Sequence, residues 1–414
     1  MQGTEAGGQA RGLPGGEARA KGSAGEVLGV FLRLGLTSFG GPIAHLGYFR
    51  DEFVARRRWL AEDDYAELVA LCQFLPGPAS SQVGFAIGMM RAGWAGALAA
   101  FAGFTLPSAV VMAVLGMMAV GLAPGGLAEG LVHGLKLAAV AIVGQAVLGM
   151  ARSLCPDGPR ALIAAGAVVV LAALPTALGM IGAIALGGLA GRMLGLAGGA
   201  GPGSGGATLH LPVSRRTGIA ALALLLAGLV GLPLLADRAQ GLALADAVFR
   251  AGAMVFGGGH VVLPLLQAEV VGPGWVSQDA FLAGYGAAQA MPGPLFTIAS
   301  YLGAAAGPAP NGALGALIAT LAVFLPGFLL LTGVLPFWAA LRARAGMRAA
   351  MAGANAAVVG ILGAALYAPV FVGAVGGMAD FALALLAFVL LVACKAPPLA
   401  VVALAAAGGM ALAG

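Results

Sequence analysis

Long apolar runs separated by short polar segments follow one another along almost the whole chain. Most runs approach the roughly 20 residues that a helix needs to cross a bilayer. Backbone groups at hydrocarbon depth must be satisfied by helices or closed barrels, and these runs are too long and too apolar for barrel strands. We therefore predict helices at 27–48, 66–90, 94–121, 128–151, 160–175, 176–194, 217–236, 242–264, 281–304, 311–333, 348–370, 379–393 and 398–412.

The chain repeats itself at an offset of about 217 residues. The sequence FLRLGLTSFGGP at 31–42 matches VFRAGAMVFGGG at 248–259, and QFLPGP at 73–78 matches QAMPGP at 289–294. Seven predicted helices precede the second copy. An odd number of crossings would invert the second copy relative to the first.

Two stretches interrupt the apolar pattern and set the predicted boundaries. Residues 1–24 are polar and rich in glycine, without the apolar core of a signal peptide, and predict a disordered tail. The Gly/Ser-rich stretch 195–214 is typical of a flexible linker, and an extra helix at 217–236 follows it. The predicted domains are a tail at 1–24, a first repeat at 25–194, a linker with its transmembrane helix at 195–240, and a second repeat at 241–414.

Basic residues test the inversion, because they concentrate in cytoplasmic loops. In the first copy they follow the first two apolar runs, at 56–58 and at Arg91. The corresponding loops of the second copy, 265–280 and 305–310, contain no Lys or Arg, as inverted repeats predict. A full first crossing would place the arginines at 56–58 outside. We therefore expect the first two runs of each copy to be broken or re-entrant, with about nine full crossings and a cytoplasmic N-terminus.

Composition narrows the class of protein. Hydrophobic residues make up 60% of the chain and charged residues only 9%, against about 25% in a soluble domain. This excludes soluble enzymes, nucleic-acid binders and secreted disulfide scaffolds. The three cysteines are far apart and form no CxxC pair, so neither a disulfide framework nor a zinc site is predicted.

The acidic residues and the absent motifs limit the chemistry. Cation carriers usually need a carboxylate inside a membrane helix, whereas the carboxylates here are predicted at loops or at the ends of apolar runs, which favours an anion. The acidic residues interpreted in this way are Glu62, Asp63, Asp64, Glu67, Glu129, Asp157, Asp237, Asp279 and Asp380. A Walker A lysine, an HExxH motif and a GxSxG elbow are missing from the sequence, so we expect no catalytic residues, cofactor or metal site.

Glycine and proline cluster inside the first two apolar runs of each copy. A Pro-Gly-Pro sequence breaks a helix, because both prolines lack an N–H and glycine removes rigidity. A break at membrane depth frees backbone groups, and the N-terminus of a half-helix favours an anion. We expect four breaks to converge on one site, with simple kinks as the alternative. The predicted helix-breaking prolines are Pro42, Pro76, Pro78, Pro292 and Pro294.

Four kinds of side chain are candidate anion contacts. Arg33 and Arg250 are repeat equivalents beside the glycine breaks, and a guanidinium presents a planar fork of donors to an oxyanion. Their alternative role is snorkelling to the interface. Lys136 lies inside an apolar run, and His45 and His260 flank the glycine breaks as ligands, proton shuttles or structural residues. Polar residues also follow the first Pro-Gly-Pro at 80–82.

These motifs resemble a known family. FLRLGLTSFGGPIAHLGYFRDEFVARRRWL at 31–60 and ELVALCQFLPGPASSQVGFAIG at 67–88 strongly resemble the chromate ion transporter family. FGGGHVVLPLL and QAMPGPLFTIASYLG resemble the second domain of its long-chain, two-domain members, so the resemblance covers about 27–412. The fold expected is an all-α polytopic membrane protein, with two inverted-topology repeats that contain broken or re-entrant helices and are joined by a linker helix.

The resemblance also implies a function. It implies a multi-pass protein of the bacterial inner membrane, a secondary carrier that exports chromate and confers chromate resistance. Its expected partners are chromate or a similar oxyanion such as sulfate, protons as a candidate coupling ion, the lipid bilayer and a second copy in a homodimer, but no nucleic acid. A carrier for another anion, an anion channel and a membrane-embedded reductase are the alternatives.

The residues and the resemblance together define the predicted substrate site. Ser80-Ser81-Gln82 is replaced by Phe296-Thr297-Ile298 in the second copy, so we expect the first copy to hold more of the polar contacts. The predicted substrate-binding residues are Arg33, Ser38, Gly40, Gly41, His45, Gln73, Gly77, Ser80, Ser81, Gln82, Lys136, Arg250, Gly257, Gly258, His260, Gln289, Gly293 and Thr297.

Overall fold

A computed structural model describes residues 22–39, 41–121, 126–196, 211–255, 262–342 and 344–413. Helix is the regular structure throughout these residues, which confirms the predicted all-α class. The α-helices are α1 Ala24–Thr37, α2 Gly41–Arg50, α3 Glu62–Phe74, α4 Ala79–Gly121, α5 Gly126–Leu154, α6 Gly158–Ala173, α7 Ala177–Met193, α8 Arg215–Ala236, α9 Gln240–Ala253, α10 Val262–Val270, α11 Gln278–Ala290, α12 Ile298–Ala305, α13 Gly312–Val334, α14 Trp338–Arg342, α15 Ala345–Ala365, α16 Val372–Ala374, α17 Met378–Val392 and α18 Pro398–Ala413.

Several helices are long and apolar enough to cross a membrane. Within the described residues there are five, at Ala79–Ala119, Glu129–Leu154, Arg215–Arg238, Gly312–Phe337 and Ala345–Ala374. Shorter apolar helices of 10–17 residues accompany them. The chain is therefore a multi-pass membrane protein. Most of the predicted tail, and linker residues 197–210, lie outside the described residues.

The predicted breaks occur where glycine and proline cluster. Helix α1 begins at the Ser23 cap, whose hydroxyl accepts the Glu26 N–H at 3.1 Å, and it ends before Ser38. Helix α2 starts after this break. A second interruption, at the first Pro-Gly-Pro, separates α3 from α4. Helix α4 itself kinks at Gly93.

The first repeat contains two hairpins, one formed by α1 and α2 and the other by α3 and the part of α4 before its kink. Each hairpin returns to the end of the molecule at which it starts. The Gly22 N–H donates to the Arg91 carbonyl oxygen at 3.0 Å. The Arg91 guanidinium lies 3.1 Å from the Glu26 carboxylate, and Arg57 lies 3.9 Å from the same group. The start of α1, the segment after α2 and the first kink of α4 therefore meet, at what we call the Glu26 end. This is the arrangement expected of re-entrant segments.

The second repeat forms a corresponding meeting point. The Gly307 N–H, after α12, donates to the Trp275 carbonyl oxygen at 2.8 Å. A Cβ placed on Gly241, at the start of α9, would lie 3.2 Å from the Pro310 ring. We call this the Trp275 end. The neighbouring Gly312 faces Met117 near the end of α4, about 36 Å along that helix from its kink at 1.5 Å per residue.

Each repeat covers the long helix of the other with its last hairpin. Helices α17 and α18 pack against α5, whereas α6 and α7 pack against α15. Small residues allow this close approach. A Cβ added to Gly134 would collide with the Ala405 backbone on α18, and one added to Gly353 would collide with Gly187 on α7. The repeats are therefore interlocked.

Candidate functional site

The helix breaks of the two repeats bind each other through the backbone. The Gly77 N–H, in the first Pro-Gly-Pro, donates to the Val255 carbonyl oxygen at 2.7 Å. The Gly293 N–H, in the second Pro-Gly-Pro, donates to the Ser38 carbonyl oxygen at 2.9 Å. Ser38 and Val255 are repeat equivalents, so the two contacts are reciprocal. The breaks of the two repeats thus contact each other in pairs, and convergence of all four on one site stays a prediction.

Glycine is required at both junctions. Gly77 and Gly293 have φ angles of +123° and +90°, in the region that side chains rarely adopt. A Cβ on Gly77 would lie 3.0 Å from the Gly327 Cα atom, and one on Gly293 would lie 2.9 Å from Ser108 Oγ. The junctions therefore have neither the conformation nor the space for a side chain.

Polar side chains from the first repeat surround these junctions. The His45 ring lies with Nδ1 3.4 Å from Ser80 Oγ, and both residues are buried. The Gln82 amide nitrogen donates to the carbonyl oxygens of Pro76 at 3.1 Å and of Gly327 at 2.9 Å. Gln82 thereby joins the first Pro-Gly-Pro to α13 of the second repeat.

Several of these polar atoms are buried without a partner in the described residues. They are Ser38 Oγ, His45 Nε2, Ser81 Oγ, Gln82 Oε1 and Thr105 Oγ1, and we call them the orphan cluster. An unsatisfied buried polar group costs about 1–3 kcal/mol, and folded proteins avoid such groups. A cluster of them beside broken helices is therefore suited to a ligand that forms hydrogen bonds.

Thr105 is the member of the orphan cluster that sequence reasoning missed. It lies on α4 beside Phe104, whose ring is 5.2 Å from that of His45, and its carbonyl oxygen accepts from Ser108 Oγ at 3.2 Å. The sequence feature that could have drawn attention to Thr105 is the nearby Pro107, which recurs as Pro326 in the second copy.

In the described part of the second repeat, the buried polar atoms without a partner are Gln278 Nε2 and Asn355 Oδ1. The Thr297 hydroxyl donates to the Pro294 carbonyl oxygen at 2.9 Å, and Gln289 hydrogen-bonds to Tyr285. Gln73, the repeat equivalent of Gln289, is exposed. Four further predicted contacts lie outside the described residues, namely Gly40, Gly257, Gly258 and His260.

The two equivalent arginines have different surroundings. Arg33 is exposed on α1, and the described residues provide no partner for its side chain. The Arg250 guanidinium is held by the carboxylates of Asp246 and Glu269, each within 2.9 Å. In this structure its donors are thus already occupied.

The expectation that carboxylates avoid helix interiors was wrong. Asp246 is the seventh residue of α9, and its side chain is 7% exposed. Glu67 lies within α3, is buried, and accepts a hydrogen bond from Trp338 Nε1 at 3.0 Å. The Asp246 carboxylate is stabilised by Arg250, one helical turn away. The Glu67 carboxylate is stabilised by Trp338, which is distant in sequence. The inference from acidic positions to an anion substrate therefore loses its basis.

Lys136 belongs to a different region. Its ammonium lies 2.8 Å from the Asp279 carboxylate, at the start of α11 and about 17 Å along that helix from the second Pro-Gly-Pro. Nearby, His133 Nε2 lies 2.7 Å from Asp380. Both pairs line a cavity of about 330 Å³ between α5, α11, α17 and α18, and both connect the two repeats.

Fold and site together define a helical membrane protein built from two repeats whose helix breaks meet at a cluster of open polar groups. The family profile described as Chromate transporter matches the chain twice, at residues 25–192 and 242–410. The chain therefore belongs to the chromate transporter family, as a long-chain, two-domain member. It is accordingly a membrane transporter and not an enzyme.

Individual relatives agree with this assignment. The chain is 30% identical over 345 residues to a chromate transport protein of Pseudomonas aeruginosa, covering 82% of this chain and 79% of the relative. It is 27% identical to a probable chromate transport protein of Synechococcus elongatus, covering 74% and 75%. An uncharacterized transporter of Methanocaldococcus jannaschii is 26% identical, covering 79% of both chains. No solved structure gives a significant match.

We predict that Gly77→Ala and Gly293→Ala each destabilise the protein by about 2–5 kcal/mol. A left-handed backbone costs a non-glycine residue roughly 1–2 kcal/mol, and the contacts of the new Cβ add a further cost of roughly 1–3 kcal/mol. The measurement is thermal unfolding of the purified protein in detergent. Gly274→Ala is the matched control, because Gly274 has φ +77° but no atom within 4 Å of its Cβ position. Equal losses in all three variants would contradict tight junctions.

The Lys136–Asp279 pair gives a second prediction. The Lys136 side chain is 13% exposed and that of Asp279 is 66% exposed. Removing the carboxylate therefore leaves the Lys136 ammonium unpaired in a largely desolvated position. We expect Asp279→Ala to lower the unfolding midpoint more than Lys136→Met does. We also expect the double variant to be as stable as Lys136→Met.

The same unfolding measurement applies to all three variants of this pair. An Asp279→Ala protein as stable as wild type would show that the pair does not hold the repeats together. A double variant with the summed loss of both single changes would show that the two residues act independently.

Proposed function

We propose that this chain exports chromate from the cytoplasm as a secondary-active carrier, and so confers resistance to chromate. Membership of the chromate transporter family supports chromate as the transported oxyanion. The direction of transport and the secondary-active mechanism are parts of the proposal. The name of the Pseudomonas aeruginosa relative agrees with this substrate.

The observation that carries the proposal is the orphan cluster. Three of its members are hydroxyls that can donate a hydrogen bond, those of Ser38, Ser81 and Thr105. A tetrahedral oxyanion accepts several hydrogen bonds at once, so these neutral donors match it. Their own unsatisfied state is relieved when the anion is bound.

Helix geometry adds to this match. Helix α4 begins at Ala79, immediately after the first Pro-Gly-Pro, so Ser80 and Ser81 occupy its first turn. The first turn of a helix carries free backbone N–H groups and a positive partial charge. We propose that the oxyanion binds against this turn, with the polar contacts supplied mainly by the first repeat.

The arginines have unequal roles in this proposal. Exposed Arg33 attracts the anion from the Glu26 end, because its side chain has no partner among the described residues. Arg250 as a direct anion ligand stays a prediction that requires its two ion pairs to open. The other predicted contacts, including Gln73 and Lys136, likewise stay predictions.

We further propose that the repeats are inverted in a bacterial inner membrane, with a cytoplasmic N-terminus. The arginines at 56–58 and Arg91 lie at or near the Glu26 end. At the Trp275 end, the described loops 271–277 and 306–311 carry no Lys or Arg, and the turn before α9 carries Arg238 alone. This charge difference supports a cytoplasmic Glu26 end and an outer Trp275 end. Alternating access would then come from rocking one repeat against the other around the paired breaks.

Chromate flux into proteoliposomes tests the function and the site together. We expect saturable chromate transport with counterflow, and competition by sulfate because both are tetrahedral dianions. In Ser81→Ala we expect the chromate KM to rise at least ten-fold, since a hydrogen bond to a charged group is worth about 1.5–3 kcal/mol. The readout is initial rate against chromate concentration for both proteins.

Thr320→Val is the control variant for this flux experiment. Thr320 is a buried hydroxyl on α13 that already donates to the Ala316 carbonyl oxygen at 2.7 Å, so it is not an open donor. It should leave the KM unchanged. Absence of chromate flux in wild type would refute the function, and non-saturable flux would indicate a channel. An unchanged KM in Ser81→Ala would remove Ser81 from the site.

Cysteine labelling tests the inverted topology. Ala61 and Ser277 are exposed repeat equivalents that precede α3 and α11. In a background without native cysteines, we expect a membrane-impermeant maleimide to label Ser277→Cys in intact cells. Ala61→Cys should react only in everted vesicles. Labelling of both variants from the same side would contradict inversion.

A further inference from the structure

The second repeat contains a group of three charged residues that the proposed oxyanion site does not use. The Arg250 Nε atom lies 3.1 Å from both carboxylate oxygens of Asp246. The Arg250 Nη1 and Nη2 atoms lie 3.0 and 2.9 Å from the two oxygens of Glu269. We call these three residues the Arg250 triad. One guanidinium thus binds two carboxylates in a bidentate manner.

The two carboxylates of the triad are largely removed from water, whereas the Arg250 side chain is 33% exposed. The side chains of Asp246 and Glu269 are 7% and 11% exposed. They lie on α9 and α10, the two helices that flank the glycine break of the second repeat. The triad therefore lies within a predicted re-entrant hairpin, where unpaired charge is expensive.

No other charged group of the described residues offsets the triad. The charges that act on Glu269 are those of Arg250 and Asp246. Helices α7, α8, α13 and α15 pack against α9 or α10, and α13 carries no charged residue. The charged residues of α7, α8 and α15 lie near the ends of these helices, at Arg192, Arg215, Arg216 and Arg348. Two more charged residues, Asp237 and Arg238, are exposed in the turn before α9.

The triad therefore has one negative charge in excess when both carboxylates are ionised. The equivalent residues of the first repeat, Gly29, Arg33 and Glu52, carry one positive and one negative charge and so have no excess. Glu52, the equivalent of Glu269, pairs with both Arg56 and Arg57. Asp246 is replaced by Gly29 in the first repeat. The excess carboxylate is thus a property of the second repeat alone.

We propose that the Arg250 triad is a proton-binding site that couples inward proton movement to outward movement of the oxyanion; this rests on the proposed function. Two carboxylates that share one cation in a poorly solvated place cannot both remain ionised without cost, and a proton removes the excess charge. A protonated carboxyl still accepts a hydrogen bond from the guanidinium. A neutral carboxyl holds the guanidinium less firmly than a carboxylate does, so the two charge states of the triad differ in how firmly α9 and α10 are joined.

The triad is connected to the candidate oxyanion site by α9. Arg250 lies five residues before Val255, whose carbonyl oxygen accepts the Gly77 N–H at 2.7 Å. Any change in the position of α9 on loss of a proton is thereby transmitted to the first Pro-Gly-Pro. Glu269 lies one residue before the end of α10, near the Trp275 end, from which we propose that the proton enters.

Transport measurements with a charge-neutral isostere test the coupling. Proteoliposomes holding wild type, Glu269→Gln or Glu52→Gln are assayed for chromate counterflow and for proton movement with an internal pH-sensitive dye. We expect Glu269→Gln to retain counterflow within about two-fold and to lose at least ten-fold of the proton movement that accompanies chromate. Its flux should also stop responding to an imposed pH gradient. Glu52→Gln is the matched control and should respond as wild type does.

The possible failures are distinguishable. Wild type without chromate counterflow would refute the proposed function. Chromate flux in wild type without proton movement, or proton movement retained in Glu269→Gln, would overturn the triad proposal alone. Loss of both counterflow and proton movement in Glu269→Gln would also overturn it, if Asp246→Asn behaves in the same way.

Chemical labelling gives a readout that does not depend on transport. A hydrophobic carbodiimide modifies protonated carboxyl groups in membranes and spares ionised ones. In wild-type membranes we expect mass spectrometry to detect modification at Glu269 or Asp246 that decreases as pH rises, with none at Glu52. Absence of triad labelling at every pH from 5 to 8 would overturn the proposal.

Discussion

The fold depends on one constraint: backbone that is not helical at membrane depth must find a partner within the protein. Four interrupted segments create this requirement, and the two repeats meet it by exchanging hydrogen bonds. Gly77 donates to the break beside α9, and Gly293 donates to the break beside α1. In each repeat, a backbone group freed at a break forms its hydrogen bond with the other repeat. The centre of the molecule is therefore formed only where the two repeats meet.

This exchange explains why a repeated sequence produces unequal chemistry. The backbone contacts at the junctions are equivalent in the two repeats, and they fix the positions of the surrounding side chains. The side chains themselves have diverged. Ser81 keeps an open hydroxyl, whereas the Thr297 hydroxyl is bound to the Pro294 carbonyl oxygen. The first repeat thus contributes the open donors and the second repeat contributes the Arg250 triad, on one shared framework.

The sequence predicted the breaks and the helices well, because both follow from local rules. Proline removes an N–H and a long apolar run favours a buried helix wherever they occur. That the first repeat holds more of the polar substrate contacts stays a prediction, made because 80–82 are polar and their equivalents are mostly apolar. Local rules could not reveal the surroundings of Arg250, because Glu269 reaches it only after the chain has turned back through a break.

Other features depended on contacts between distant segments. Lys136 was placed in the substrate site from its position in an apolar run, yet its partner Asp279 is 143 residues away. Thr105 has no motif of its own and matters only through the elements packed around it. Asp246 shows the opposite difficulty: its partner is one helical turn away at Arg250, but burial of the pair becomes visible only in three dimensions.

The interlocked terminal hairpins have a consequence for how the protein is made. Helix α5 is complete at Leu154, but α17 and α18, which cover its glycine-containing surface, begin only at Met378. At a synthesis rate of 5–20 residues per second, the ribosome needs roughly 11 to 45 s to reach that point. During that interval lipid or an insertion factor must occupy the surface around Gly134. The final packing of the first repeat is therefore an event of the end of translation, even though its sequence is among the first to be inserted.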